Sequence, residues 1–167
     1  MPQPGTRPFE HQNIWAAPSG DDGGGELVAL CEIPFAELEA YDRQCFSAPR
    51  PVFLERWIAQ DDAQALGLLR GGKLAGYGVI RRCREGCKIG PLFADDPAAA
   101  EALFAALALF AGDGPVFLDV PENNLAAMAL ARRHGMEEVF GCARMYLGPL
   151  PAIDQARVFG ITTFEFG

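Results

Sequence analysis

The stretch VFLDVPENNLAAMALARRHG, residues 116–135, predicts a strand, a turn and a helix in immediate succession. The continuous apolar run at 115–120 is typical of a strand buried on both faces of a sheet. A helix is expected from about Leu125 to His134, where Gly135 can take the left-handed conformation that often ends helices. A buried strand joined to a helix in this way indicates a sheet covered by crossover helices.

The preceding stretch, GPLFADDPAAAEAL at residues 90–103, repeats the arrangement of strand and helix. Asp96 is a favourable N-cap and Pro97 a favourable first helical residue, so a helix is expected from Pro97 to about Ala111. Backbone N–H groups at such a junction commonly bind phosphate. This turn, however, contains no glycine and places Asp95 beside Asp96, and two carboxylates oppose the binding of an anion.

The remaining chain predicts further strands and two more helices. Two β-type runs flank the turn at 70–73, a hairpin signal, and a second turn at 84–87 leads into a third strand. Apolar residues at helical spacing predict helices at 33–46 and about 52–60. Strands are also expected at 137–148 and 157–167. The fold class is therefore α/β, with a central mixed sheet flanked by helices.

The first 25 residues differ from the rest of the chain. They are polar and rich in glycine and proline, which predicts a flexible tail or linker. Within this segment, residues 7–17 could form a short strand, which would need a partner sheet. We therefore expect a tail at 1–25 and a single domain at 26–167.

Composition limits the classes of function. The 167 residues carry a formal net charge of −8, which argues against a general nucleic-acid binder. No apolar run approaches the ~18 to 20 residues of a membrane span, and the N-terminus lacks the layout of a signal peptide, so we expect a cytoplasmic protein. Five irregularly spaced cysteines and two histidines do not form a zinc pattern, and no metal site is expected.

The order of elements from residue 33 to 166 resembles that of the GNAT acetyltransferase superfamily. The resemblance is strongest at 122–139, where the matching positions are Asn124, Ala127, Leu130, Gly135 and Met136. The phrases AYDRQCF, KIGPLFADDP, VFLDVPENN, ARMYLGP and VFGITTFEFG are similar to the C-terminal acetyltransferase-like domain of YitH-type proteins, which carry two GNAT folds in tandem. The segment RPFEHQNIWAA then resembles the last strand of a preceding GNAT domain.

This resemblance implies acetyl-CoA as cofactor and a small amine as acceptor. The family's phosphate loop, Gln/Arg-x-x-Gly-x-Gly/Ala, falls on residues 95–100, where Asp95 and Ala98 depart from it and Pro97 has no N–H to donate. The thioester carbonyl is usually polarised by a backbone N–H near a strand bulge, which Gly90 would permit. The residues expected at the cofactor are Gly90, Leu92, Ala98, Ala100 and Asn124. Arg81 or Arg82 could compensate for the acidic turn.

Catalysis would also require groups that transfer protons. The position that often carries a tyrosine acid in the family is Ala131 here. The remaining candidates are Tyr146 and Tyr41 as acids and Asp42, Glu55 and Asp119 as bases. Asp119 stands out among the bases, since a carboxylate inside an apolar strand must be paired or shifted in pKa. The two tyrosines and Asp119 also have a structural explanation, as core or rim tyrosines and as a cap of the following turn.

Two functions are compatible with the sequence and with this resemblance. The first is transfer of an acetyl group from acetyl-CoA to a small amine, with a weakened or atypical cofactor loop. The second is a non-catalytic GNAT-like ligand-binding or dimerisation module, which pairs with another GNAT domain or forms a homodimer.

Overall fold

The computed structural model describes residues 24–145, 147 and 150–165, together with the backbone of 6–11. The described strands form one sheet and are β1 (Thr6–His11), β2 (Glu26–Ala29), β3 (Ala63–Arg70), β4 (Lys73–Arg82), β5 (Cys87–Ala94), β6 (Val116–Pro121), β7 (Glu137–Glu138) and β8 (Val158–Gly160). The described α-helices are α1 (Phe35–Cys45), α2 (Pro51–Ile58), α3 (Pro97–Ala108) and α4 (Leu125–Arg133).

The sheet is mixed, as the sequence predicts. Its strand order is β2-β3-β4-β5-β6-β1-β7, and β8 pairs with β5 outside this path. Neighbours from β2 to β5 are antiparallel, whereas β5 and β6 are parallel. The hairpin between β3 and β4 turns at Gly71 and Gly72, both of which have positive φ.

Two apolar layers cover the two faces of this sheet. One cluster joins α3 and α4 to the sheet and includes Leu103, Phe104, Leu130 and Phe159. The other cluster joins α1 and α2 to the opposite face and includes Leu38, Leu54, Tyr77 and Val158. Adjacent residues of β8 thus enter different layers, which is the alternation expected of a strand that runs through the middle of a sheet.

The local helix signals are confirmed. The carboxylate of Asp96 accepts a hydrogen bond from the Ala99 N–H at 2.9 Å, and α3 starts at Pro97. Asn124 caps α4 in the same manner, and Gly135 follows this helix with a φ of 64°. The predicted continuation of α3 to Ala111 is a single 3-10 turn over Leu109–Ala111.

The strand predictions differ from the structure in several places. The strand predicted at 137–148 is wrong between 139 and 145, since pairing with β1 ends at Glu138 and of these residues only Cys142 lies in a bridge; 146 and 148 lie outside the described residues. Among the described residues, the strand predicted at 157–167 is confirmed only over Val158–Gly160. The short strand β2 was not predicted. Of the strand considered at 7–17, the part up to His11 lies within β1 and pairs with β6 and β7, and the part beyond it lies outside the described residues.

Candidate functional site

The expected cofactor path follows one edge of β5. The resemblance places the pyrophosphate at the turn after Ala94 and the thioester carbonyl near Gly90 and Leu92. Because the other edge of β5 pairs with β4, the pantetheine arm between these two groups would lie along the edge that faces β6. This edge pairs with β6 only at Cys87–Ile89. The bulge expected near Gly90 is present, because β5 has one extra residue between Ile89 and Leu92 relative to β4. The free part of the edge is therefore the segment from Gly90 to Ala94.

The strand β8 occupies this free edge. Leu92 and Phe93 pair with Gly160 and Val158 in antiparallel register. On the other side of the segment, the Ile161 N–H donates to the carbonyl of Asp119 in β6 at 3.0 Å. The C-terminal segment, residues 155–162, therefore lies with its strand β8 between β5 and β6, where the cofactor was expected.

Two glycines make this insertion possible. A Cβ atom at Gly90 would lie 2.4 Å from the Thr162 carbonyl oxygen and 2.8 Å from that of Ile161. A Cβ atom at Gly160 would lie 2.5 Å from Leu118 Cδ1. All three distances are shorter than the distances at which Cβ atoms contact other atoms in proteins. A larger residue at Gly90 or Gly160 would therefore push the C-terminal segment away from the sheet.

Asn124, predicted as a cofactor residue, has its amide engaged within the chain. Its oxygen accepts from the N–H groups of Ala126 and Ala127 at 3.1 Å each. Its nitrogen lies 2.9 to 3.3 Å from three carbonyl oxygens of the C-terminal segment, those of Gln155, Ala156 and Val158. Asn124 thus joins the start of α4 to the segment that fills the cleft.

The first turn of α3 offers no free donor to a phosphate. Pro97 has no N–H, and the Ala98 and Ala99 N–H groups bind the Asp96 carboxylate. The Ala100 N–H donates to the Asp96 carbonyl at 3.1 Å. Ala98 is exposed and Ala100 is fully buried. The backbone N–H groups that bind phosphate at other helix starts are therefore already hydrogen-bonded within this chain.

The two carboxylates of this turn are each matched by basic or hydroxyl groups. Arg70 forms a bidentate pair with Asp96, and this pairing lowers the pKa of Asp96. Arg157, next to β8, lies 3.5 Å from Asp95, whose carboxylate also lies 2.8 Å from the Tyr41 hydroxyl. The acidic turn therefore holds the C-terminal segment by charge.

Tyr41, predicted as an acid candidate, is buried beneath this turn. Its hydroxyl lies within hydrogen-bonding distance of Asp95 and of the Ala75 carbonyl, at 2.8 and 3.1 Å. Burial, followed by the hydrogen bond to Asp95, raises its pKa above the usual value. A phenol with a raised pKa remains protonated, and here it fixes the turn.

The arginines considered as compensation lie at the wrong end of the sheet. Arg81 and Arg82 pair with Lys88 and Cys87, the start of β5, whereas the acidic turn follows the end of this strand. Their guanidinium groups lie over aromatic rings, Arg81 over Trp57 and Arg82 over Phe110. They do not supply charge to the turn.

Asp119, the candidate base, is fully buried in β6 on the face that carries α1 and α2. Lys88 Nζ lies 2.5 Å from Asp119 Oδ2, so the two side chains form a buried ion pair between β5 and β6. Burial raises the pKa of Asp119, and the contact with Lys88 opposes this rise. Removing one partner of such a buried pair leaves an uncompensated charge in the core, which is strongly destabilising.

A buried network that the sequence did not reveal also holds the C-terminal segment. Arg50, at the start of α2, binds the Asp42 carboxylate through two nitrogens at 2.6 and 2.8 Å. A third nitrogen donates to Thr162 Oγ1 at 2.9 Å. The Tyr77 hydroxyl donates to the same carboxylate at 2.5 Å. Of these residues the sequence singled out only Asp42, as a candidate base, and its carboxylate is bound by Arg50.

Neither further position considered for the acid supplies one in the described structure. Tyr146 lies outside the described residues, and Ala131 is a fully buried residue of α4. Within the described residues, no group of three His, Cys, Asp or Glu side chains is arranged to hold a metal. The helices described here are each too short or too polar to span a bilayer.

The geometry agrees with a known protein family. Residues 38–160 match the family model of the acetyltransferase (GNAT) domain. The chain belongs to the GNAT acetyltransferase family. It is 29% identical over 132 residues to the holothin acyltransferase of Pseudoalteromonas sp. (strain SANK 73390), covering 78% of this chain and 45% of that protein.

Solved GNAT structures share the fold. An acetyltransferase-family structure from Pyrococcus horikoshii has a TM-score of 0.77 and 24% identity, covering 100% of this chain and 53% of that one. A tandem GNAT protein from the clavulanic acid biosynthesis pathway has a TM-score of 0.59 and 14% identity, covering 84% and 52%. The chain thus spans about half the length of these relatives.

Proposed function

We propose that this GNAT domain is a supporting, non-catalytic half of an acyltransferase, which does not itself hold acetyl-CoA. The observation that carries the proposal is the position of β8 on the edge of β5 where the cofactor would lie. The acidic turn supports it, since its first-turn N–H groups and its carboxylates are bound within the chain.

Free energies favour the segment over the cofactor. Acetyl-CoA could enter only by expelling Val158, Phe159 and Ile161, all of which are buried. Exposing three such side chains costs roughly 5 to 8 kcal/mol. A dissociation constant of 1 μM corresponds to about 8.2 kcal/mol, so this cost would remove between roughly 60% and nearly all of such a binding free energy. The residual affinity would be in the millimolar range or weaker.

The lengths of the relatives suggest where the acyl-CoA is bound. More than half of the holothin acyltransferase lies outside the match, and one structural relative is described as a tandem GNAT protein. We place this chain as the equivalent of the C-terminal half in a YitH-type pair. In that arrangement the companion domain would bind acyl-CoA and the acceptor amine, and this domain would support it.

The second candidate is acetyl transfer from acetyl-CoA to a small amine by this domain. The ion pair of Lys88 and Asp119 favours it, because a buried carboxylate whose pKa is raised by burial is a potential base. This function requires the C-terminal segment to leave the cleft, and no catalytic step can be assigned while the segment stays in place.

Titration calorimetry with acetyl-CoA distinguishes the two. We expect no binding heat up to about 1 mM cofactor and no rise in melting temperature. The supporting role would be abandoned if the protein bound acetyl-CoA with a micromolar Kd, or if it released CoA from acetyl-CoA in the presence of a panel of amines. Desulfo-CoA serves as a control for binding through the nucleotide part alone.

A further inference from the structure

An arginine holds the C-terminal segment at each of its two ends. At the start of the segment, Arg157 belongs to the 3-10 turn Gln155–Arg157, directly before β8. At the other end, Thr162 Oγ1 accepts a hydrogen bond from Arg50 at 2.9 Å. Each arginine also binds a carboxylate of the domain, so charge contributes to both attachments.

Arg157 occupies a site that suits a guanidinium group. Its Nε lies 3.5 Å from Asp95 Oδ1 and 3.3 Å from Asp154 Oδ2. Its Nη1 donates to Gln44 Oε1, and its guanidinium carbon lies 5.7 Å from the centre of the Tyr41 ring. Two carboxylates, an amide oxygen and an aromatic ring are groups that bind a planar cation with several donors.

The two arginine contacts differ in their exposure to water. The side chains of Arg157, Asp95 and Asp154 are 26%, 36% and 50% exposed. The side chains of Arg50 and Asp42 are 8% and 2% exposed. Salt screens exposed ion pairs strongly and buried pairs weakly, because dissolved ions reach only the exposed ones. The start of the segment is therefore the attachment that salt can loosen.

Hydrogen bonds also hold the start of the segment less firmly than its end. The Asn124 nitrogen lies 2.9 to 3.3 Å from three carbonyl oxygens near the start, but it carries only two hydrogens. Near the end, the Ile161 N–H donates to the Asp119 carbonyl at 3.0 Å, and the Thr162 carbonyl lies close against Gly90. Loss of the arginine contact at the start should therefore free that part of the segment and leave its end in place.

We propose that Arg157 is an ionic latch on the C-terminal segment, and that its release opens the cleft from the start of β8 while Thr162 stays anchored. The inference rests on the proposed function, because it takes the segment as the occupant of the cleft. Once open, this end of the cleft would carry the carboxylates of Asp95 and Asp154 without their cation. It would therefore accept a guanidinium group from another molecule and repel the phosphates of acetyl-CoA.

Amide hydrogen exchange of the full chain, followed by NMR without cofactor, tests the latch. In about 0.05 M NaCl, Arg157→Ala should accelerate exchange at residues 156–158 at least about tenfold and exchange at Ile161 less than about twofold. In the wild type, about 1 M NaCl should accelerate exchange at the same residues, because it screens charges beyond about 3 Å.

Chemical rescue tests the guanidinium site in the same variant. Methylguanidinium chloride at about 50 mM should restore slow exchange at residues 156–158 of Arg157→Ala, whereas the same addition of NaCl should not. Arg132→Ala is the matched control, since it removes an exposed arginine of α4, and its exchange should follow that of the wild type.

Four outcomes would overturn the latch: unchanged exchange at residues 156–158 in Arg157→Ala, equal acceleration at Ile161, equal acceleration in Arg132→Ala, or rescue by NaCl as effective as rescue by methylguanidinium. Arg157→Lys, which keeps the charge but not the planar fork, should show a smaller acceleration at the same residues and answers the question if Arg157→Ala does not fold. These results contradict the latch alone, whereas binding of acetyl-CoA in calorimetry contradicts the supporting role.

Discussion

Gly90 has one role predicted from the sequence and a different role in the structure. In the sequence it permits a bulge that could direct a backbone N–H at a thioester. In the structure the bulge is present, and the missing Cβ admits the carbonyl oxygens of Ile161 and Thr162. The residue type was informative, but the groups that approach it belong to Ile161 and Thr162, far along the chain, and leave no signal near Gly90 in the sequence.

Gly90→Ala should therefore destabilise the fold rather than only impair a ligand site. The new methyl group would lie 2.4 Å from backbone, which cannot rotate away, so we expect a loss of about 1 to 3 kcal/mol in urea unfolding. Gly114→Ala, whose Cβ would meet only the Ala111 carbonyl at 3.2 Å, should change stability much less. Equal stability of Gly90→Ala and wild type would contradict the close packing of the segment.

Two substitutions of Asn124 separate the contribution of its amide oxygen from that of its amide nitrogen. Asn124→Asp keeps an oxygen that caps α4 but loses the nitrogen that lies near three carbonyls, so we expect a loss of about 1 to 3 kcal/mol. Asn124→Ala loses the cap as well and should be less stable than Asn124→Asp. If Asn124→Asp has the same free energy of unfolding as the wild type, the amide nitrogen of Asn124 does not hold the C-terminal segment.

At the scale of elements, the helices were predictable because their signals are local. Asp96 and Asn124 precede the helices they cap, and Gly135 directly follows α4. Strand pairing was less predictable, since the sequence at 157–167 indicates a strand but not its neighbour. The apolar residues of β8 fit a buried edge strand equally well, and the structure places it between β5 and β6.

The contact between α3 and α4 predicts a pH effect. His134 and Arg133 both bind Glu101, and they lower its pKa to about 2. A lowered carboxyl pKa stabilises the fold fully above the unfolded value near 4.5, and this contribution disappears as the pH falls through 2. Glu101→Gln should therefore lower the melting temperature at pH 5, by the equivalent of at most about 1 kcal/mol.

The difference between Glu101→Gln and wild type should shrink from pH 4.5 towards pH 2. Glu55→Gln in α2 is a control on an exposed carboxylate. A difference that is constant with pH would show that the helix contact does not depend on the charge of Glu101.

At the scale of the whole molecule, the buried ion pair of Lys88 and Asp119 joins two central strands. Lys88→Met leaves the carboxylate buried without its cation, so the pKa of Asp119, already raised, rises further. Because the folded state then binds a proton more tightly than the unfolded state, the loss is small near pH 4 and grows with pH. We expect about 3 to 5 kcal/mol at pH 8.

Lys73→Met is the matched control for this prediction, since Lys73 is exposed at the start of β4. Its unfolding free energy should follow that of the wild type across the pH range. A Lys88→Met variant with a loss independent of pH would contradict the account of the pair.

We propose that β8, and not acetyl-CoA, fills the cleft between β5 and β6. Amide hydrogen exchange of residues 155–162, with and without about 1 mM acetyl-CoA, tests it most directly. The account predicts exchange of the amides in β8 that is as slow as that of β5 and unchanged by the cofactor. Fast exchange of the segment, or exchange that accelerates when acetyl-CoA is added, would contradict it.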